Sequence, residues 1–189
     1  MSQMNQAMQL LRKLHEQQKS SQDALKDKRY SYSAQQNLVS VEMNGKFEIL
    51  SLSVNEGLID VDDIITLEEM VCDSVSECTR KILNDYESAI PEQLRQVYAM
   101  DPTETINKKK NEWNEKSFNY ECADNNINIL IRGSMIIEKI TIVNKLIVDP
   151  AKKAELESIL KNDLTDALSA VYDDWDENNN ATLTSADLF

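Results

Sequence analysis

The side chains able to do chemistry in this 189-residue chain are few and poorly grouped. His15 is the only histidine, and no Asp or Cys motif surrounds it. One such ring cannot supply a nucleophilic triad here, and none of the many serines sits in a nucleophile-elbow context. The chain has only three glycines, so no Gly-rich loop exists to cradle a phosphate. Cys72, Cys78 and Cys122 form an odd set without paired metal or redox spacing, and the first two fall on different faces of a helix. Buried free thiols are expected. Asp60, Asp62 and Asp63 lack the glycine and closing Glu of a calcium loop, and read as acids favouring a helix N-terminus. Asp173, Asp174, Asp176 and Glu177 read as solubilising. No catalytic residue, metal or cofactor is therefore expected, and the reading is of a protein that is not an enzyme.

What remains is ionic contact with phosphate. Arg12, Lys13, Lys19, Lys26, Lys28 and Arg29 lie off the apolar stripe of the first helical segment. They suit phosphate contact from a projecting arm, or form a solvated helix face. Lys108, Lys109 and Lys110, near Trp113 and Lys116, make a second cluster with the same two readings. The net charge of −13 is unevenly placed. Residues 1–29 carry six Lys/Arg against three Asp/Glu, and residues 91–119 five against five. Residues 30–90 carry three against twelve, and residues 120–189 six against thirteen. Surfaces as acidic as the last two repel phosphate. No apolar run approaches the roughly 18 residues that span a membrane. The N-terminus lacks an apolar signal core, so a cytoplasmic protein is expected.

The elements that position these groups follow from periodicity. Residues 3–28 keep Met4, Ala7, Met8, Leu11, Leu14 and Leu25 at helical spacing, with Ser2 as a weak N-cap. The stripe is thin, which fits a helix that packs along one partner helix or projects from the body. Met4, Met8, Leu11 and Leu14 are its candidate association face. Arg29–Ala34 reads as a short strand and 35–37 as a turn. Leu38–Met43 and Phe47–Val54 read as a hairpin joined at Asn44-Gly45, a pair that tolerates the positive φ of a two-residue type I′ turn. A helix near Thr66–Glu87 covers the sheet, with Thr66 and Glu69 as a capping box. Pro91 and Asp101-Pro102 break the next stretch into helical pieces, 92–100 and 103–113.

The pattern then restarts. Setting Gly45 over Gly133 pairs Val39 with Ile127, Val41 with Ile129, Met43 with Ile131 and Phe47 with Met135. It also pairs Ile49 with Ile137, Leu52 with Ile140 and Val54 with Ile142. With one residue inserted, Leu67-Glu68 falls on Leu156-Glu157 and Val75 on Leu164. The last helix opens at Asp149-Pro150 and runs to about Trp175. The expected class is α+β: two tandem α-β(3)-α units, each an antiparallel three-stranded sheet with a covering helix, plus a long projecting N-terminal helix. The expected divisions are 1–90, a helical linker 91–102, 103–176, and a disordered acidic, Asn-rich tail 177–189. A lone three-stranded sheet with one helix buries little, so the two units are expected to associate within a chain or between chains.

The first unit resembles the YbaB/EbfC family of bacterial nucleoid-associated proteins. The resemblance rests on the Met- and Gln-rich helix from Met4 to Gln18 and on Leu38-Val-Ser-Val-Glu-Met-Asn-Gly-Lys46. It continues through Ile49–Val54, Leu58-Ile-Asp-Val-Asp-Asp63 and Leu67-Glu68-Glu69-Met70. It covers residues 3–88; residues 103–175 fit by periodicity and the Gly133 turn. The resemblance implies a two-layer dimer with helices projecting as tweezer arms, and double-stranded DNA binding with little sequence preference. This chain departs in its two units, its acidity and Arg132-Gly133-Ser134 at the second turn. The alternative is an acidic protein–protein adapter or chaperone-like module that has lost DNA binding. A DNA mimic seated in a basic protein groove is a further version.

Overall fold

The computed structural model describes residues 3–100, 105–122 and 124–182. Its elements run α1 (Gln3–Leu25), β1 (Arg29–Ser33), β2 (Val39–Asn44), β3 (Ile49–Val54), α2 (Ile64–Ser88) and α3 (Glu92–Ala99). There follow α4 (Thr105–Glu115), β4 (Ser117–Glu121), β5 (Ile127–Arg132), β6 (Ile137–Ile142) and α5 (Lys153–Thr182). Two separate antiparallel sheets form, ordered β1-β2-β3 and β4-β5-β6. The α+β class and the repeated strand–strand–strand–helix order stand as expected.

The hairpins differ from the expected two-residue turn. Asn44 N–H donates to the Glu48 carbonyl and Phe47 N–H to the Asn44 carbonyl, enclosing a three-residue loop. Positive φ falls on Phe47 (64°), while no glycine has positive φ. This is a three-residue hairpin whose last loop residue is left-handed. The second hairpin repeats it, with Arg132 N–H on the Ile136 carbonyl, Met135 N–H on the Arg132 carbonyl and Met135 at φ 63°. Past each loop the register slips by one, Met43 pairing with Ile49 and Ile131 with Ile137. The extra residue is Leu50 in one sheet and Glu138 in the other. Each bulge keeps the flanking apolar side chains on one face despite broken alternation.

The capping box is also corrected. Helix α2 begins at Ile64 with Asp63 as its N-cap, whose carboxylate accepts from Thr66 N–H. Asp63 therefore does in the structure what Thr66 was expected to do. Helix α5 follows a short 3-10 turn capped by Asp149, and continues to Thr182. That is seven residues beyond the expected end, and overlaps the tail expected to be disordered; residues 183–189 lie outside the described residues, as does Ser2.

The helices cross between sheets. Helix α2 packs on β1 and β2 of its own sheet and on β6 of the other, while α5 packs on β5 of its own sheet and on β3. One continuous hydrophobic core results. It includes Val41, Met43, Leu67, Val75 and Ile82 from the first unit and Ile129, Ile131, Leu156, Leu160 and Leu164 from the second. Side chains seal the crossing. Glu157 accepts Val54 N–H at 2.8 Å, and Glu68 accepts Ile142 N–H at 2.6 Å. Thr165 Oγ1 accepts Ile49 N–H at 3.1 Å, while Ser76 Oγ donates to the Ile137 carbonyl at 3.3 Å. The four residues on each side occupy matched positions of the repeat, so the arrangement has an internal two-fold character.

Candidate nucleic-acid interface

The helix that precedes each sheet is anchored by its last turn. A Cβ added to Gly45 would stand 2.0 Å from the Leu25 carbonyl oxygen, and one added to Gly133 would stand 2.0 Å from that of Trp113. Only a residue without a Cβ lets the end of α1 or α4 rest on its hairpin. Glycine is thus selected at both turns by close approach of the backbone, not by positive φ. Tyr86 O–H donates to the Gly45 carbonyl at 2.9 Å, and Trp113 Nε1–H to the Gly133 carbonyl at 3.0 Å.

Matched ion pairs fasten the chain just past each helix. Lys28 meets Asp85 at 2.5 Å, and Lys116 meets Asp174 at 3.9 Å. Tyr30 O–H also donates to Asp85 at 3.0 Å. The Lys28 hydrogen bond, followed by that of Tyr30, holds the Asp85 carboxyl below its ordinary range. Lys28 lies over the Tyr30 ring, and Lys116 over the rings of Trp113 and Phe118. These two lysines therefore serve the attachment of the arms.

The nine candidate cations divide into two groups. Lys26 pairs with Asp23 at 2.8 Å, Lys28 with Asp85, Arg29 with Glu42 at 2.6 Å and Lys108 with Glu112 at 3.9 Å. Lys109 also has an interaction partner. Arg12, Lys13, Lys19 and Lys110 are exposed and make no ion pair among the described residues. Three of these four stand on α1, where Arg12 and Lys19 lie seven residues apart, while Lys26 follows in the turn after the helix. Seven residues are two helical turns, about 10.5 Å, so Arg12 and Lys19 share one stripe. The cluster 108–110 stands on α4, which occupies in the second unit the place of α1 in the first.

The candidate association face is only partly free. Leu14 and Leu94 are buried where α1 and α3 pack together, outside the main core. Met8 and Leu11 are half-buried; Met4 lies within α1, but its side chain is outside the described residues. His15 joins the same contact. Its Nδ1–H donates to the Leu11 carbonyl at 2.9 Å, so in the neutral ring Nε2 accepts from the Tyr98 hydroxyl at 3.3 Å. The only histidine is thus a packing residue between α1 and α3.

The thiols are all free and buried. Burial pushes Cys72 and Cys78 up to about 11 and Cys122 up to about 12, which keeps them protonated and unreactive. Among the described residues there is no cluster of His, Cys, Asp or Glu able to hold a metal. Among the same residues no helix is long and apolar enough to cross a membrane.

A two-unit α-β(3)-α body with crossed helices and basic helices ahead of each sheet defines a class, and comparison with known proteins gives the family. The model of the YbaB/EbfC DNA-binding family matches residues 1–96. The chain belongs to that family. It is similar to a nucleoid-associated protein of Lactococcus lactis subsp. cremoris (strain MG1363), with 33% identity over 82 residues, 43% of this chain and 83% of the relative. A nucleoid-associated protein of Caldicellulosiruptor saccharolyticus is 37% identical over 59 residues, 31% of this chain and 49% of the relative. One from Alkaliphilus metalliredigens is 27% identical over 77 residues, 41% of this chain and 68% of the relative. No solved structure matches the chain significantly.

Proposed function

We propose that this protein is a non-enzymatic, nucleoid-associated DNA-binding protein that contacts the phosphates of double-stranded DNA with little sequence preference. The observation that carries this reading is the set Arg12, Lys13 and Lys19, exposed on α1 and in no ion pair among the described residues. Lys110 and its neighbours on α4 supply the matched contribution of the second unit. The two units take the roles of two subunits within one chain, and residues 91–102 link them. The acidic faces 30–90 and 120–182 turn away from the duplex, because charge repulsion makes that orientation the favourable one.

A second reading, an acidic adapter for protein partners, is favoured by the pairing of Lys26, Lys28, Arg29 and Lys108 with acids. Titration of a mixed-sequence duplex across salt separates the two. DNA binding through the arms gives affinity that falls steeply with salt. Arg12→Gln, Lys13→Gln and Lys19→Gln together then lower the logarithmic salt slope by about 0.9 for each phosphate contact removed. Absence of binding at low salt sinks the DNA reading and favours the adapter.

A further inference from the structure

The outer edges of the two sheets are finished differently. In an antiparallel strand, alternate residues point their main-chain groups to opposite sides. Ala34 bonds to Val39 on β2, and Cys122 to Ile127 on β5, while Gly133 N–H reaches the Lys116 carbonyl. Hence Arg29, Ser31 and Ser33 of β1, and Ser117, Asn119 and Glu121 of β4, present their N–H and C=O groups outward. On β1 the middle of that edge is engaged by a helix side chain. Lys81 of α2 donates to the Ser31 carbonyl at 2.6 Å and lies over the Tyr32 ring. On β4 the position matched to Lys81 is Ala170, which has nothing to donate. No hydrogen bond among the described residues reaches the outward main-chain groups of Ser117, Asn119 or Glu121. Helix α2 packs closely on β1, whereas the close strand contacts of α5 are with β3 and β5, and Phe118 and Tyr120 of β4 stay half-exposed.

The charge beside the two edges differs as well. Along β1, α2 presents Lys81 and an Arg80–Glu77 ion pair. Along β4, the positions of α5 matched to Glu77, Arg80 and Ser74 are Asp166, Ser169 and Asp163. Asp163 and Asp166 act electrostatically on both Tyr120 and Cys122, and Asp124 acts on Cys122, so these acids gather at the β4 side. One Asp163 oxygen is buried without a hydrogen-bond partner. Glu121 and Asp124 are exposed at the same end. The nearby Lys116 is already held by Asp174.

We propose that the outer edge of β4 is a strand-addition site for an extended, basic segment of a partner protein. The partner's main chain pairs with Ser117, Asn119 and Glu121, and its Lys or Arg side chains meet Asp163, Asp166, Glu121 and Asp124. A second copy of this chain fits poorly, since pairing two β4 edges sets the same acids against each other. DNA fits worse for the same reason. The site does not depend on DNA binding by the arms.

The test uses the full chain and a nine-residue peptide of alternating lysine and valine. Binding is followed by fluorescence anisotropy and by amide hydrogen exchange. The peptide is expected to bind, and to protect the amides of Ser117, Asn119 and Glu121 but not those of Arg29, Ser31 and Ser33. Two variants with native-like circular dichroism are each expected to weaken binding at least about tenfold, the loss of roughly one or two hydrogen bonds. Asn119→Pro removes an outward donor where an edge strand tolerates proline. Ala170→Lys restores the cover that Lys81 gives the first sheet. Binding that leaves the three amides unprotected, or that neither variant weakens, overturns the proposal. So does a dimer that forms without peptide and is abolished by Ala170→Lys, which would make the edge a contact between copies.

Discussion

The Glu157 carboxylate, carried by the last helix, accepts the main-chain N–H of Val54 on the last strand of the first sheet at 2.8 Å. Glu68 does the same for Ile142 of the second sheet. These strands have no neighbour on that side, and both donors would otherwise be unpaired at the edge of a shared core. The two carboxylates therefore close the sheets and fix which strand each helix meets.

Removing either acceptor leaves a largely buried N–H unsatisfied. Glu157→Ala and Glu68→Ala are each expected to lower the stability by about 1–3 kcal/mol. Glu157→Gln keeps an acceptor and loses less. Urea unfolding midpoints measure this; equal midpoints for the wild type and Glu157→Ala would show that the bond contributes nothing.

The turn glycines make a sharper prediction. At 2.0 Å from a carbonyl oxygen, an added methyl at position 45 or 133 forces backbone apart. Gly45→Ala is expected to loosen the end of α1, raising hydrogen exchange of residues 20–28 while α5 stays protected. Gly133→Ala is expected to act on α4 in the same way. An unchanged exchange pattern would mean that helix and hairpin do not need this contact.

Much of this was legible in the sequence because the fold is written twice. The pairing of Gly45 with Gly133 carried the strands, and Glu68 over Glu157 marked, without naming them, the residues that seal the crossing. The turn type was misread because Asn-Gly permits positive φ, yet the conformation is set by Leu25 resting on Gly45, a contact distant in sequence. The bulges had a signal in the three-residue spacing of Ile49 to Leu52 and of Ile137 to Ile140, which breaks strict alternation. Basic residues were legible as a set but not individually. That Arg29 is spent on Glu42 depends on strand register, and no local pattern encodes that pairing.

Two carboxyls give opposite pH dependences. Asp85 is held low, chiefly by its hydrogen bond to Lys28, so its contribution is present above the ordinary carboxylate range and is lost as pH falls through its lowered value. Asp163 is pushed up chiefly by burial, opposed by a hydrogen bond from Cys122 and reinforced by Asp166 and Asp124. Ionising it costs stability as pH rises from the ordinary carboxylate value through its raised one. At neutral pH, Asp163→Asn should therefore raise the melting temperature and Asp85→Asn should lower it. Melting curves between pH 4 and about 8, bracketing the ordinary carboxylate range, check this; a destabilised Asp163→Asn at neutral pH would refute the sign argued for that group.

The crossed helices make the two halves mutually dependent. Helix α2 buries Leu67, Val71 and Val75 in a core that also contains Ile137, Ile140 and Ile142 of the other half. Expressed apart, residues 1–100 and 101–189 would each expose the apolar face that the other covers, so each alone should unfold early or self-associate. Mixed, they should form a 1:1 complex with the circular dichroism of the whole chain. Because the acceptors lie on opposite sides of the cut, Glu157→Ala in one fragment should weaken reassembly with a wild-type partner, and Glu68→Ala in the other should weaken it comparably. Sedimentation velocity reads the stoichiometry directly. Two fragments that each remain folded, monomeric and indifferent to one another would show that each unit closes its own core, and that the exchange of helices between sheets is not what stabilises the fold.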